Sequence, residues 1–492
     1  MAKRVVLFVH GWSVRNTDTY GGFPARLRSE ARKHTDLDLD VRNIWLGKYI
    51  SFHNEVRLPD ISRAFNAALH KELGDVLRAR QRIICVTHST GGPVVRDWLH
   101  RFYISKGRKR SPVSHLIMLA PANFGSALAQ LGKSRIGRLR TWFQGVEPGL
   151  GVLEWLELGS PQSWKLNTHW LENAEQMIGR AGVYSFVLTG VNINRKVYDH
   201  VNAYTGEMGS DGVVRAAAAN LNCAYVKVVQ RRQPDGNAQM LGFNVVEHKE
   251  VTQVPMAIIK GRAHSGDDMG IMRSVRNDKQ PHPTLDALLK CIDVKTKRDY
   301  RRLAEEFAGQ NEIIAREQQV EVLDFAGGFN RPVIHDPCAM VIFRVRNDQG
   351  NPVPDFELIL TGENDNPDGL PPGFLIDRQK NHYDAGTLSF YFNYACMAGA
   401  PAVTHAGNII RPALPGCRQL GLRVIAYPKD GFVHYVPGFL KASAANLKKF
   451  IKPNQTTLVD IVLSRFVREG VFRLSRKLQS DDFTKDPPGE PI

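Results

Sequence analysis

Apolar and polar positions along this chain change period twice. Short continuous apolar runs come first: Val5 to Val9, Leu39 to Trp45, Ile83 to Val86, His115 to Leu119, Tyr184 to Gly190, Ala224 to Val229 and Met256 to Lys260. Runs of this length, rich in Val and Ile and with no polar alternation, read as strands buried on both faces. Stretches of helical period stand between them, among them Ser62 to Arg80 and the residues after Gly92. Strands alternating with helices imply a parallel sheet covered on both sides.

From Asp299 to Glu321 the pattern is charged and helical with sparse apolar positions, as in a connector or a helix packed on one side. Beyond it the period falls to two. Ala339 to Arg346, Phe356 to Thr361, Thr387 to Asn393, Leu420 to Ala426 and Thr457 to Leu463 read as strands, separated by Asn-Asp-Gln-Gly, Asn-Pro-Asp-Gly and Pro-Lys-Asp-Gly turns. That spacing fits an all-β sandwich of immunoglobulin-like or C2-like type. The expected organisation is an α/β domain over 1–298, a helical connector over 299–325, the β-sandwich over 326–476 and a disordered tail over 477–492.

One stretch, RIICVTHSTGGPVVRDWLHRFY at Arg82 to Tyr103, joins a buried strand to an amphipathic helix through a turn with Ser89 at its apex. This is the layout of a nucleophile elbow, which lifts the serine hydroxyl clear of the sheet. A serine before a helix also serves as an N-cap, but a cap needs neither the buried strand nor the double glycine Gly91-Gly92. The position two before the serine, where a glycine is expected, is Thr87.

A serine nucleophile needs a histidine to take its proton and a carboxylate to orient that histidine, in the chain order Ser, acid, His on this fold. For the acid, Asp211 in the small-residue turn Gly209-Ser210-Asp211-Gly212 fits best, with Asp199 as competitor. For the base, His264 follows the last strand of the parallel sheet, with His248 and His282 as alternatives. The backbone amides of Thr90, next to the nucleophile, and Trp12, after His10-Gly11, are placed to donate to an oxyanion.

Taken together, FVHGW, THSTGG, LAPANFGS, LGSPQSWKLN, SDGVV and HSGDDMGI resemble the motifs of bacterial α/β-hydrolase lipases, in particular those with a PGAP1-like domain, over about residues 1–275. The resemblance implies an α/β-hydrolase fold, carries over Ser89, Asp211 and His264 as the triad with Trp12 and Thr90 as oxyanion donors, and implies a serine lipase or phospholipase working through an acyl-enzyme. Lipase first and β-domain second is also the architecture of type VI secretion lipase effectors. That implies an antibacterial role, a secretion-apparatus contact through the β-domain and a cognate immunity protein in the producer.

Composition adds a partner. The formal net charge of +16 over 492 residues points to an anionic one. Without an RRM, zinc-finger or basic-zipper pattern, nucleic acid is set aside in favour of an anionic phospholipid surface. The insertion over about 127–180 breaks the strand–helix rhythm and mixes Arg138 and Arg140 with Trp142, Phe143 and Trp155. It reads either as a lid lying on lipid and covering the site, or as a cap whose tryptophans fill their own core.

The six cysteines show neither metal spacing nor a disulfide framework, though Cys396 and Cys417 flank one loop, and no metal or cofactor is called for. The N-terminus leads straight into a core strand and does not read as a signal peptide, so the expectation is cytoplasmic synthesis and leaderless export. Two other classes fit the same pattern: a soluble esterase or thioesterase, and a partner-binding module with a vestigial hydrolase.

Overall fold

The computed structural model describes residues 3–10, 20–34, 37–50, 53–108, 110–131, 149–178, 182–193, 208–231, 239–325, 329–428 and 433–467. Through the first half run strands β1 (Arg4–His10), β2 (Leu39–Trp45), β3 (Ile83–His88), β4 (Val113–Leu119), β5 (Tyr184–Thr189), β6 (Cys223–Gln230), β7 (Leu241–Val251) and β8 (Met256–Ile258). Six of these form a sheet in the order β2-β1-β3-β4-β5-β8, every neighbouring pair parallel. This is the parallel sheet expected from the apolar runs, in the α/β-hydrolase layout that the motif resemblance implies.

All six residues of β3 and of β5 are buried, because helices cover both faces. One face carries the cluster of Phe65, Val95, Trp98 and Met118, and the other that of Phe8, Phe23, Phe186 and Leu288. The charged helix Lys297–Glu317 belongs to the second face. Thr296 and Asp299 form its capping box, and Tyr300, Leu303 and Phe307 supply its sparse apolar side. The Tyr300 hydroxyl donates to the Ser185 carbonyl of β5 at 2.7 Å.

The expected all-β domain is a curled mixed sheet of nine strands. Its order is Phe356–Thr361, Gln419–Ala426, Gly438–Ser443, β7, β6, Thr456–Leu463, Cys338–Asn347, Thr387–Asn393 and Leu375–Lys380. Two of its central strands come from the segment assigned above to the hydrolase. The strand expected at Ala224–Val229 exists as part of β6, but it pairs with Thr456–Leu463 and β7 rather than with the six-stranded sheet. β7 was not expected at all.

Strand alternation explains how one sheet serves two cores. Along Cys338–Asn347, Met340 and Ile342 face the hydrolase cluster, while Val341, Phe343 and Val345 face the interior of the curl. β6 splits the same way, Tyr225 to the hydrolase and Val226 and Val228 to the curl.

In the insertion, the described helices Leu150–Leu156 and Pro161–Met177 pack inward. Trp155 is 2 % exposed, and Trp164 and Trp170 are buried in the same core as Trp98. Trp155, offered above as a lipid-facing lid residue, is therefore a core side chain: apolar spacing alone does not tell a face turned to lipid from one turned to the core. Arg138, Arg140, Trp142 and Phe143 lie outside the described residues, as do Trp12, Asp199 and the tail 477–492.

Among the described residues no helix is long and apolar enough to cross a membrane. The six cysteines are free thiols, with Cys417 Sγ 3.6 Å from the Cys396 carbonyl. The acidic turn Glu363–Asp368 is held by protein groups: Asp365 accepts from Thr361 at 3.0 Å and from Arg423 at 2.9 Å.

Candidate active site

β3 ends at His88, and the chain turns at once into the helix Gly91–Leu99. Ser89 between them has φ 52°, a left-handed backbone that a non-glycine residue rarely adopts without a functional reason. Ser89 N–H donates to the Leu119 carbonyl at 2.9 Å, so the neighbouring strand end fixes the turn from below. Close approach of strand and helix accounts for the glycines. A Cβ at Gly91 would lie 3.3 Å from Thr87 Cβ, and one at Gly92 would lie 2.9 Å from Pro121 Cβ. Thr87 thus occupies the site expected of a glycine because Gly91 alone leaves the needed room.

Ser89, Asp211 and His264 come together. The Ser89 hydroxyl donates to His264 Nε2 over 3.1 Å, and His264 Nδ1 donates to Asp211 Oδ2 over 2.9 Å. Asp211 is fully buried and His264 is 1 % exposed, so the pair works out of bulk water. The other carboxylate oxygen accepts the backbone N–H groups of Val213 at 3.0 Å and Val214 at 2.8 Å, which pins the carboxylate's orientation. The Asp211 carbonyl also accepts the His264 backbone N–H at 2.9 Å, joining the acid and base loops through the main chain.

The acid turn has supports on two sides. From the hydrolase, Ser126 Oγ donates to the Val213 carbonyl at 2.6 Å and Asn123 Nδ2 to the Ala219 carbonyl at 2.7 Å. This gives the motif Ala120 to Ser126 its purpose. From the curled sheet, the Tyr391 hydroxyl donates to the Met208 carbonyl at 2.7 Å. Arg215, 2 % exposed, lays its guanidinium 4.2 Å over the Tyr391 ring and pairs with Asp377.

His88 is a site residue to which no role was given from sequence. Its Nε2–H donates to the His264 carbonyl at 3.2 Å, and the two imidazoles lie 4.8 Å apart. Burial, followed by the neighbouring His264, holds His88 well below the usual histidine range and so neutral. Its place next to the nucleophile was the available signal. The two alternative bases are engaged elsewhere: His248 packs on Phe450, and His282 caps the helix Pro283–Asp293.

Thr90 precedes the first turn of the helix Gly91–Leu99, where backbone N–H groups lack partners within the helix. Its amide is thereby available to a developing oxyanion. No group of His, Cys, Asp and Glu that could hold a metal ion occurs among the described residues.

Two solved structures of phospholipase PlaB from Legionella pneumophila are similar to this chain over 100 % of both lengths, each with a TM-score of 0.83. One shares 39 % identity with this chain, and the other, at 38 %, is the complex of PlaB with thio-NAD. The mature lipase BlEst2 of Bacillus licheniformis aligns over 44 % of this chain and 80 % of its own, with a TM-score of 0.31 and 21 % identity. No family model and no curated protein matches the chain.

Proposed function

The chain belongs to the family of phospholipase PlaB and is a carboxylic ester hydrolase, and we propose that it cleaves acyl esters of membrane phospholipids at Ser89 through a covalent acyl-enzyme. The observation that carries this reading is the continuous chain of hydrogen bonds from Ser89 through His264 to Asp211, at 3.1 and 2.9 Å.

In the proposed first step His264 Nε2 takes the hydroxyl proton as Ser89 Oγ bonds to the acyl carbon. Asp211 holds Nδ1–H toward itself and stabilises the imidazolium that forms. The Thr90 amide, with that of Trp12, receives the carbonyl oxygen as it gains charge, each such donor being worth about 2.7–4 kcal/mol. His264 then gives its proton to the departing alcohol. Water, deprotonated by the same nitrogen, releases the fatty acid and restores Ser89.

The net charge of +16 supports an anionic phospholipid surface as substrate, and Arg138, Arg140, Trp142 and Phe143 would meet it. The PGAP1-like resemblance and the secretion-effector role, with its immunity protein and apparatus contact, rest on motifs and domain order alone.

A fluorophosphonate probe should label Ser89 in the intact chain and leave Ser89→Ala unlabelled. Acyl release from vesicles rich in phosphatidylglycerol should stop in the same variant. Continued release by Ser89→Ala would overturn the reading.

A further inference from the structure

The curled sheet does not fill its own interior. Between its inner face and the helix Ala444–Phe450 lies a hollow of about 400 Å³, walled by Val341, Phe343, Phe390, Phe392, Leu422 and Val459. The hollow opens to solvent beside the helix, is lined mostly by apolar side chains, and its volume falls within the range of ligand sites. Apolar cavities do not hold ordered water well, because water there finds no polar partners. A curled sheet enclosing such a space is the arrangement by which small barrels hold one apolar ligand.

Among the described residues that line it the charged ones are both cationic: Lys449, on the covering helix with Asn446 beside it, and Lys441, which alternates along its strand with the inward Leu440 and Ala442. Lys441 sits 3.9 Å from Asp365, which Arg423 also contacts at 2.9 Å, so it belongs to an ion-pair group on the outer face, whereas Lys449 lies exposed on the helix at the rim. An apolar hollow with a cationic group at its rim is complementary to a hydrocarbon chain ending in an anion.

We propose that the hollow of the curled sheet is a binding site for a long-chain fatty acid, the chain among the inner-face side chains and the carboxylate at Lys449. The site is distinct from the cluster of Ser89, His264 and Asp211. Val341 and Phe343 line it, while their neighbours Met340 and Ile342 point to the hydrolase core, so the sheet itself stands between the hollow and the hydrolase. A fatty acid is also what the proposed ester hydrolysis releases, and that link alone rests on the functional reading; the binding site rests on the cavity.

The test uses the full chain carrying Ser89→Ala, so that turnover cannot contribute. Titration with cis-parinaric acid, which fluoresces in apolar surroundings, should saturate at one molecule per chain, and palmitate should displace it. Ala442→Trp, which fills the hollow from its wall, should abolish binding. Lys449→Glu, on an exposed helix and safe for folding, should weaken palmitate about tenfold while leaving hexadecanol unchanged, as expected for loss of one charge-assisted contact. The proposal is overturned if no saturable signal appears without vesicles, or if Lys449→Glu leaves palmitate and hexadecanol binding alike. Because the probe does not need Ser89, failure here would leave fluorophosphonate labelling of the unmutated chain, and so the proposed hydrolysis, untouched.

Discussion

The Tyr391 hydroxyl, on the curled sheet, donates to the Met208 carbonyl at 2.7 Å, three residues before the buried carboxylate of Asp211. The second domain therefore holds the acid turn of the first. Tyr391→Phe keeps the ring under Arg215 and removes only the donor. It is expected to cost about 1 kcal/mol of stability, as one lost hydrogen bond does, and to lower kcat several-fold with KM unchanged. Urea unfolding and steady-state hydrolysis of a monomeric ester measure the two effects.

His88 supports the base from behind, through its 3.2 Å hydrogen bond to the His264 carbonyl. His88→Ala leaves that buried carbonyl without this donor, a loss of roughly 1–3 kcal/mol. If the imidazole of His264 shifts accordingly, kcat falls by about 10- to 100-fold. His88→Asn, which can still donate, should recover part of the rate. Equal losses in the two variants would rule out a positioning role.

Gly91 and Thr87 form a coupled pair. With a Cβ at position 91 only 3.3 Å from Thr87 Cβ, Gly91→Ala should lower stability and slow Ser89 labelling by pushing the helix off the strand. In a Thr87→Gly background the same change should be tolerated. A double-mutant cycle should give a coupling above about 0.5 kcal/mol, a quantity insensitive to the better helix propensity of alanine. Strict additivity would refute the packing argument.

His115, on β4 and 7 % exposed, donates from Nε2 to the Val294 carbonyl at 2.8 Å. Burial, with Arg4 and Arg82 adding to it and the Val294 bond opposing, pushes it from 6.5 down to about 4. Between those values the unfolded chain takes up a proton that the folded chain refuses. This contribution is thus complete above pH 6.5 and is lost as pH falls toward 4, by about 3 kcal/mol in all. His115→Gln should flatten that part of the stability profile; an unchanged slope between pH 6.5 and 4 would show that His115 does not cause it.

The parallel sheet and the elbow were legible because each is written locally. An all-buried strand such as Ile83–His88 leaves a continuous apolar run, and the turn at Ser89 needs small residues beside it. The turn at Asp211 and the loop at His264 followed from chain order. What could not be read was which sheet a strand joins. β6 carries the same apolar pattern whether it pairs with β5 or with Thr456–Leu463, and hydrogen-bond partners hundreds of residues apart leave no periodic trace. β7 escaped because Asn244 to Val246, His248 and Glu250 are exposed and polar residues fill most of its length, leaving little apolar signal. The clasp of Arg215, Tyr391 and Asp377 was equally invisible, being made across the two cores.

Thr456–Leu463 is a central strand of the nine, pairing with β6 on one side and Cys338–Asn347 on the other. β6 and β7 depart from the chain between Asp211 and His264. During synthesis the Asp211 and His264 loops are therefore joined through β6 and β7, and the further partners of those strands, Thr456–Leu463 for β6 and Gly438–Ser443 for β7, follow both loops in the chain. A ribosome that has passed the codons of Ser89, Asp211 and His264 still carries a chain whose nine-stranded sheet lacks a central strand until residue 463 has emerged. A product ending before that strand would carry Ser89, Asp211 and His264 without the strand that joins β6 to Cys338–Asn347.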